Sequence, residues 1–121
     1  HYLVLVHGRP RWEQAEVEAA IGRHPGDRRK MTVLPEGSPH THRAARTDLR
    51  VRERFEAPLT LLEARLHTGR THQVRVHCAY ARLPVAGDPL YGLATMPEGL
   101  PLAVRQALEG LEGQALHAFH L

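Results

Sequence analysis

Much that would open other routes to function is scarce in this chain. Of 121 residues one is cysteine, Cys78, so no internal disulfide can form and a reducing compartment fits. Cys78 has apolar helical neighbours, Val74 and Ala81, which is the setting of a packing residue rather than of a nucleophile. The one serine, Ser38, stands in a proline loop without a nucleophile elbow, which argues against a hydrolase. Six aromatic residues leave the core to Leu, Val and Ala. No apolar run approaches the roughly 20 residues of a membrane span, and no signal peptide is visible. The expectation is a cytoplasmic protein with no membrane partner.

What is present is positive charge, unevenly spread. The formal net charge is +3, with fifteen arginines to one lysine. Residues 23–54 hold nine basic and four acidic side chains, net +5, whereas residues 95–121 hold one Arg and three Glu, net −2. A basic segment beside a neutral remainder points to a polyanion on one face. A solvated charged surface would give the same count.

The densest chemistry lies in residues 66–92, LHTGRTHQVRVHCAYARLPVAGDPLYG. Gly69 reads as a turn residue free to take positive φ, and Thr71 as the N-cap of a helix whose first turn is His72, Gln73 and Val74. Val74, Cys78 and Ala81 then form an apolar stripe, and Arg75, Ala79 and Arg82 a second one. The helix ends before Pro84, and Gly87-Asp88-Pro89 makes another turn. A helix start with free N–H groups and two arginines nearby can hold an anion, either a phosphate or a buried carboxylate.

The remainder reads as strands. Residues 2–6 are a buried strand ending at Gly8. Residues 12–21 are ambiguous between helix and strand on propensity. A turn spans 24–28, a short strand 29–34 and a loop 35–39. From Arg43 the chain alternates, with Ala45, Thr47, Leu49 and Val51 inward and Arg46, Asp48, Arg50, Arg52 and Arg54 outward. Residues 59–66 return as an antiparallel partner, with Leu62, Ala64 and Leu66 on one face. Val85-Ala86-Gly87 reads as a brief strand, residues 100–111 as a helix with Leu100, Val104, Ala107, Leu108 and Leu111 on one face, and residues 116–121 as a last strand. The fold class is α+β, a mostly antiparallel mixed sheet with a few helices, in a single domain.

The run GRTHQVRVH followed by PVAGDPLYG closely resembles the RluA-type family of RNA pseudouridine synthases. The likeness extends to Tyr2-Leu3-Val4-Leu5-Val6, Ile21-Gly22-Arg23, Lys30-Met31, Ala45-Arg46-Thr47 and Leu116-His117-Ala118, and it turns residues 12–21 toward a short strand. It implies part of a pseudouridine synthase catalytic domain acting on ribosomal or transfer RNA, with no metal and no cofactor. The target uridine would be flipped out, detached at C1′, turned and rejoined through C5. By the same resemblance Tyr2 lies against the flipped base and takes the C5 proton, and Arg75 pairs with the catalytic aspartate. Val74 lines the uracil pocket. Arg70, His72, Gln73 and His77 are further candidates for holding RNA or the loop, and Asp88 fixes its own turn.

The family's aspartate segment, RLDxxTSG, is absent, and Asp27, Asp48 and Asp88 have the wrong setting. It is expected upstream of His1, which would make this chain the C-terminal part of a catalytic domain, cut at both ends and inactive alone. The upstream part of the same domain would be its partner. Two further readings stand beside this one. A catalytically inactive RNA-binding module would use Arg46, Arg50, Arg52 and Arg54 as a phosphate-tracking face. A zinc site is disfavoured although there are ten histidines, because no cluster has ligand spacing: His72 and His77 are five apart, His40 and His42 share a loop, and His117 and His120 alternate.

Overall fold

The structure, a computed structural model, describes residues 1–119. Its organising unit is the antiparallel pair that the alternating runs demand. Strand β6 (Arg46–Arg54) and strand β7 (Leu59–Leu66) pair from Thr47↔Leu66 to Arg54↔Thr60, with a bulge between Val51 and Glu53. Of the residues expected to face inward, Ala45, Thr47, Leu49, Leu62 and Ala64 are buried, and Val51 and Leu66 are half-buried. Strand β1 (Tyr2–His7) adds to the other side of β7, and β8 (Leu116–Ala118) to β1. Strand β2 (Gln14–Glu18) adds to β6, giving the order β2-β6-β7-β1-β8 with every pair antiparallel.

The ambiguous segment at 12–21 is thus strand. The helix-favouring glutamates Glu16 and Glu18 lie opposite Asp48 and Arg46, so ladder pairing overrides intrinsic propensity. The chain then turns into a second sheet, β4 (Met31–Val33), β3 (Ile21–Arg23) and β5 (His42–Arg43), in the order β4-β3-β5. The last expected strand is shorter than its apolar pattern, and His120 and Leu121 lie outside the described residues.

Helix α1 (Gln73–Tyr80) is wedged between the sheets. Val74 and Cys78 pack into the cluster of Val4, Val6, Leu49, Leu62 and Val85, while Val76 packs with Ile21 of the small sheet and with Ala45 in the link between β5 and β6. Helix α2 (Leu102–Glu109) has Pro101 at its N-cap and covers a third cluster through Leu108 and Val104. Ala107 and Leu111 are exposed there, because only a narrow stripe of α2 meets the sheet. The brief strand expected at 85–87 is a single bridge, Val6↔Val85.

Candidate active site

Two details of the loop before α1 differ from the sequence expectation. Gly69 does not take positive φ; the left-handed residue is His72, φ 57°, which occupies the N-cap. Thr71 therefore does not cap the helix, and no side chain does. The loop is closed from inside instead. Gln73 Oε1 accepts from the Thr68 hydroxyl (2.7 Å) and the Arg70 N–H (3.0 Å), and its amide nitrogen donates to the Arg46 carbonyl (2.9 Å) and the Thr47 hydroxyl (3.0 Å). One buried amide ties loop, helix and β6 together.

The same network fixes His77. Thr47 Oγ1 accepts from Gln73 and therefore donates to His77 Nδ1 at 2.8 Å, so the ring proton sits on Nε2 and is donated to the Ala19 carbonyl at 2.8 Å. Burial pushes the His77 pKa down, against the opposing Ala19 hydrogen bond. His77 is buried, with both ring nitrogens taken up inside the fold.

Arg75 points away from the Val74 stripe. Its Nε and Nη2 donate to Asp88 Oδ2 and Oδ1, both at 2.8 Å. Asp88 Oδ1 also accepts the N–H groups of Leu90 (2.9 Å) and Tyr91 (3.1 Å). Burial would push the Asp88 carboxyl up, but the Arg75 guanidinium and the two N–H groups together outweigh it and hold it below its ordinary range. Asp88 thus fixes its turn, as expected, and binds Arg75 as well. The Arg75 guanidinium lies 5.0 Å from the centre of the Tyr91 ring. Tyr91 OH accepts from the Met31 N–H and shares a hydrogen bond with His72 Nδ1, both at 2.8 Å. Burial, then the nearby Arg75, depresses the His72 pKa.

The structure therefore brings His72, Arg75, Asp88 and Tyr91 into one cluster, and Gln73 and His77 into another. Tyr2 sits apart from both, half-buried at the head of β1, in the apolar cluster that holds Val74. Tyr91 was missed by sequence reasoning; the tyrosine three residues after the aspartate in GDPLYG was the available signal. Arg82 shares no stripe with Arg75, because the helix ends at Tyr80. Arg82 instead takes φ 64° in a Schellman cap, with Leu83 N–H on the Cys78 carbonyl (2.8 Å) and Arg82 N–H on that of Ala79 (3.0 Å). Burial raises the Cys78 thiol to about 12, consistent with packing.

The β6 arginines do not present a row of open cations. Arg46 pairs with Glu16, Glu18 and Asp48, Arg52 with Glu63, and Arg54 with Glu13. Of the four, only Arg50 forms no ion pair among the described residues. Cross-strand geometry explains this, since Glu16, Glu18 and Glu63 stand opposite the row in the ladder. No group of three metal-ligating side chains occurs among the described residues, and no helix there is long and apolar enough to cross a membrane.

Residues 1–80 match the family described as RNA pseudouridylate synthase. The chain belongs to that family. It is 51% identical over 102 residues to the ribosomal large subunit pseudouridine synthase D of Xanthomonas campestris, covering 84% of this chain and 29% of the relative. The protein of the same name from Nitrosomonas europaea is 46% identical over all 121 residues, which make up 32% of its length. That from Escherichia coli K12 is 44% identical over 103 residues, or 84% of this chain and 30% of the relative. Among solved structures, human RNA pseudouridylate synthase domain containing 1 superposes with a TM-score of 0.77 at 31% identity, over 98% of this chain and 46% of its own. Human RNA pseudouridylate synthase domain containing 4 shares the fold, with a TM-score of 0.69. The chain spans about a third of the length of the curated relatives it matches.

Proposed function

We propose that this chain is one part of an RNA pseudouridine synthase that isomerises uridine in ribosomal RNA, with transfer RNA as the alternative substrate, in the cytoplasm. The observation that carries the reading is Arg75, a nearly buried guanidinium on a helix shared by two sheets, with one edge clamped on Asp88. A guanidinium has five N–H donors, and the Asp88 clamp uses two. The remaining edge can orient a second carboxylate and keep it ionised.

In this account that carboxylate is the catalytic aspartate, supplied by a segment outside residues 1–121, so the chain alone is inactive. Asp88 and Tyr91 hold Arg75 in place, and the Gln73–Thr47–His77 network holds the helix start. Tyr2 stacks on the flipped base over the Val74 side chain, and its phenol oxygen takes the proton from C5 once the uracil has been rejoined to C1′ through C5. The names of the large-subunit relatives favour ribosomal RNA.

The test is pseudouridine mapping of ribosomal and transfer RNA from cells lacking the gene. Loss of a large-subunit pseudouridine, restored by the intact gene but not by its Arg75→Ala form, is expected. Unchanged ribosomal and transfer RNA would reject the proposal. The inactive RNA-binding module would leave every pseudouridine in place.

A further inference from the structure

Most β6 arginines are answered by glutamates, but three arginines on neighbouring elements are not. Arg23 ends β3, Arg43 ends β5, and Arg70 lies in the loop before α1. All three line one cleft of about 340 Å³, floored by Ile21 and Met31 and edged by Gly69. No carboxylate contributes to that lining, and none of the three forms an ion pair among the described residues. Their side-chain partners among the described residues are neutral: Arg70 Nε donates to the Ala44 carbonyl (2.9 Å) and Arg23 Nη1 to that of Arg28 (3.0 Å). Those contacts aim the guanidinium groups without cancelling their charge.

Three converging cations with no counter-charge repel one another, and the repulsion is relieved when an anion enters. Planar guanidinium forks suit phosphate oxygens. The volume is at the small end of the roughly 300–1,000 Å³ usual for ligand pockets, so it suits a nucleotide unit better than a folded peptide. The cleft also shares Gly69–Thr71 with the loop that leads into α1, the helix that carries Arg75.

We propose that the Arg23–Arg43–Arg70 cleft, rather than the arginine row of β6, is the phosphate-binding site that grips the RNA strand. The choice of RNA as the polyanion rests on the pseudouridine synthase reading; the charge convergence does not. The test is the salt dependence of binding by the intact protein to a short labelled oligouridylate and to a large-subunit ribosomal RNA transcript. On a single strand each lost phosphate contact lowers the slope of log K against log salt by about 0.7. Arg23→Ala/Arg43→Ala should therefore flatten the slope by about 1.4, and Arg23→Lys/Arg43→Lys should restore most of it. Arg52→Ala/Arg54→Ala should leave it unchanged.

An unchanged slope in the Arg23/Arg43 double variant overturns the proposal, as does an equal loss in the Arg52/Arg54 control. A lowered melting temperature with an unchanged slope would mean that these arginines answer carboxylates elsewhere in the intact protein, which also overturns it. If the cleft variants lose slope but no RNA is modified, the cleft stands and the catalytic reading falls. If RNA is modified normally and the slope does not move, the reverse holds.

Discussion

Arg75 and Asp88 form a two-point ion pair, Nε to Oδ2 and Nη2 to Oδ1, with the aspartate side chain closed to solvent. Removing the Asp88 charge takes the opposite charge away from the Nε/Nη2 edge of Arg75, which a second carboxylate on the other edge does not reach. Asp88→Asn is therefore expected to cost about 3–5 kcal/mol, read from urea denaturation of the intact protein. A loss below about 1 kcal/mol, the range of an exposed pair, would show that Arg75 finds another partner.

The same pair sets an acid limit. The Asp88 carboxyl is held below its ordinary 3.8, so its contribution is fully present above that value and is lost as pH falls through the lower folded value. Unfolding measured below pH 4 should show this loss, and Asp88→Asn should remove its share of the slope. An identical acid limb in the variant would contradict the assignment.

His77 predicts a second, milder dependence. Burial depresses its pKa below 6.5, so between the folded value and 6.5 the unfolded chain binds more protons. Stability then falls as pH drops below about 6.5. His77→Gln should remove part of that slope, with the also depressed His7 and His72 keeping the rest. Thr47→Val, which strands the His77 and Gln73 nitrogens, should cost about 1–3 kcal/mol by chemical denaturation.

Much of the fold was legible because period-2 alternation marks β6 and β7, and apolar residues three and four apart between turn residues mark α1 and α2. The loop before α1 was not, because sequence preference places positive φ on Gly69 and a cap on Thr71. The fold resolves that loop through Gln73, a side chain with no turn preference of its own. Tyr2 and Val74 share one apolar cluster, and Arg75 is buried on α1; the roles the resemblance gives them belong to the proposal. Asp88 as partner of Arg75 was illegible, since thirteen residues and a helix end separate them. The ion pairs of the β6 row were illegible for a related reason: alternation shows which face the arginines share, but not the glutamates that strand pairing sets against them.

The helix end gives a test of backbone strain. Arg82 occupies, with φ 64°, the cap position that glycine fills at little cost. Its side chain is exposed, so Arg82→Gly should raise stability by up to about 1 kcal/mol. Gly87→Ala should act oppositely, since Gly87 has φ 73° and an added Cβ would collide with the Gly113 carbonyl, whereas Gly69→Ala meets open space. Thermal melts that rank Gly69→Ala as the more damaging would contradict this loop geometry.

The most direct test of the central claim is tritium release from ribosomal RNA carrying 5-tritiated uridine. Three proteins would be compared: residues 1–121 alone, the chain extended upstream to include an aspartate segment, and that longer chain with Arg75→Ala. Release by the longer chain only, abolished by Arg75→Ala while RNA affinity stays within a few fold, is the predicted result. Release by residues 1–121 alone, or undiminished release by the Arg75→Ala protein, would contradict the account.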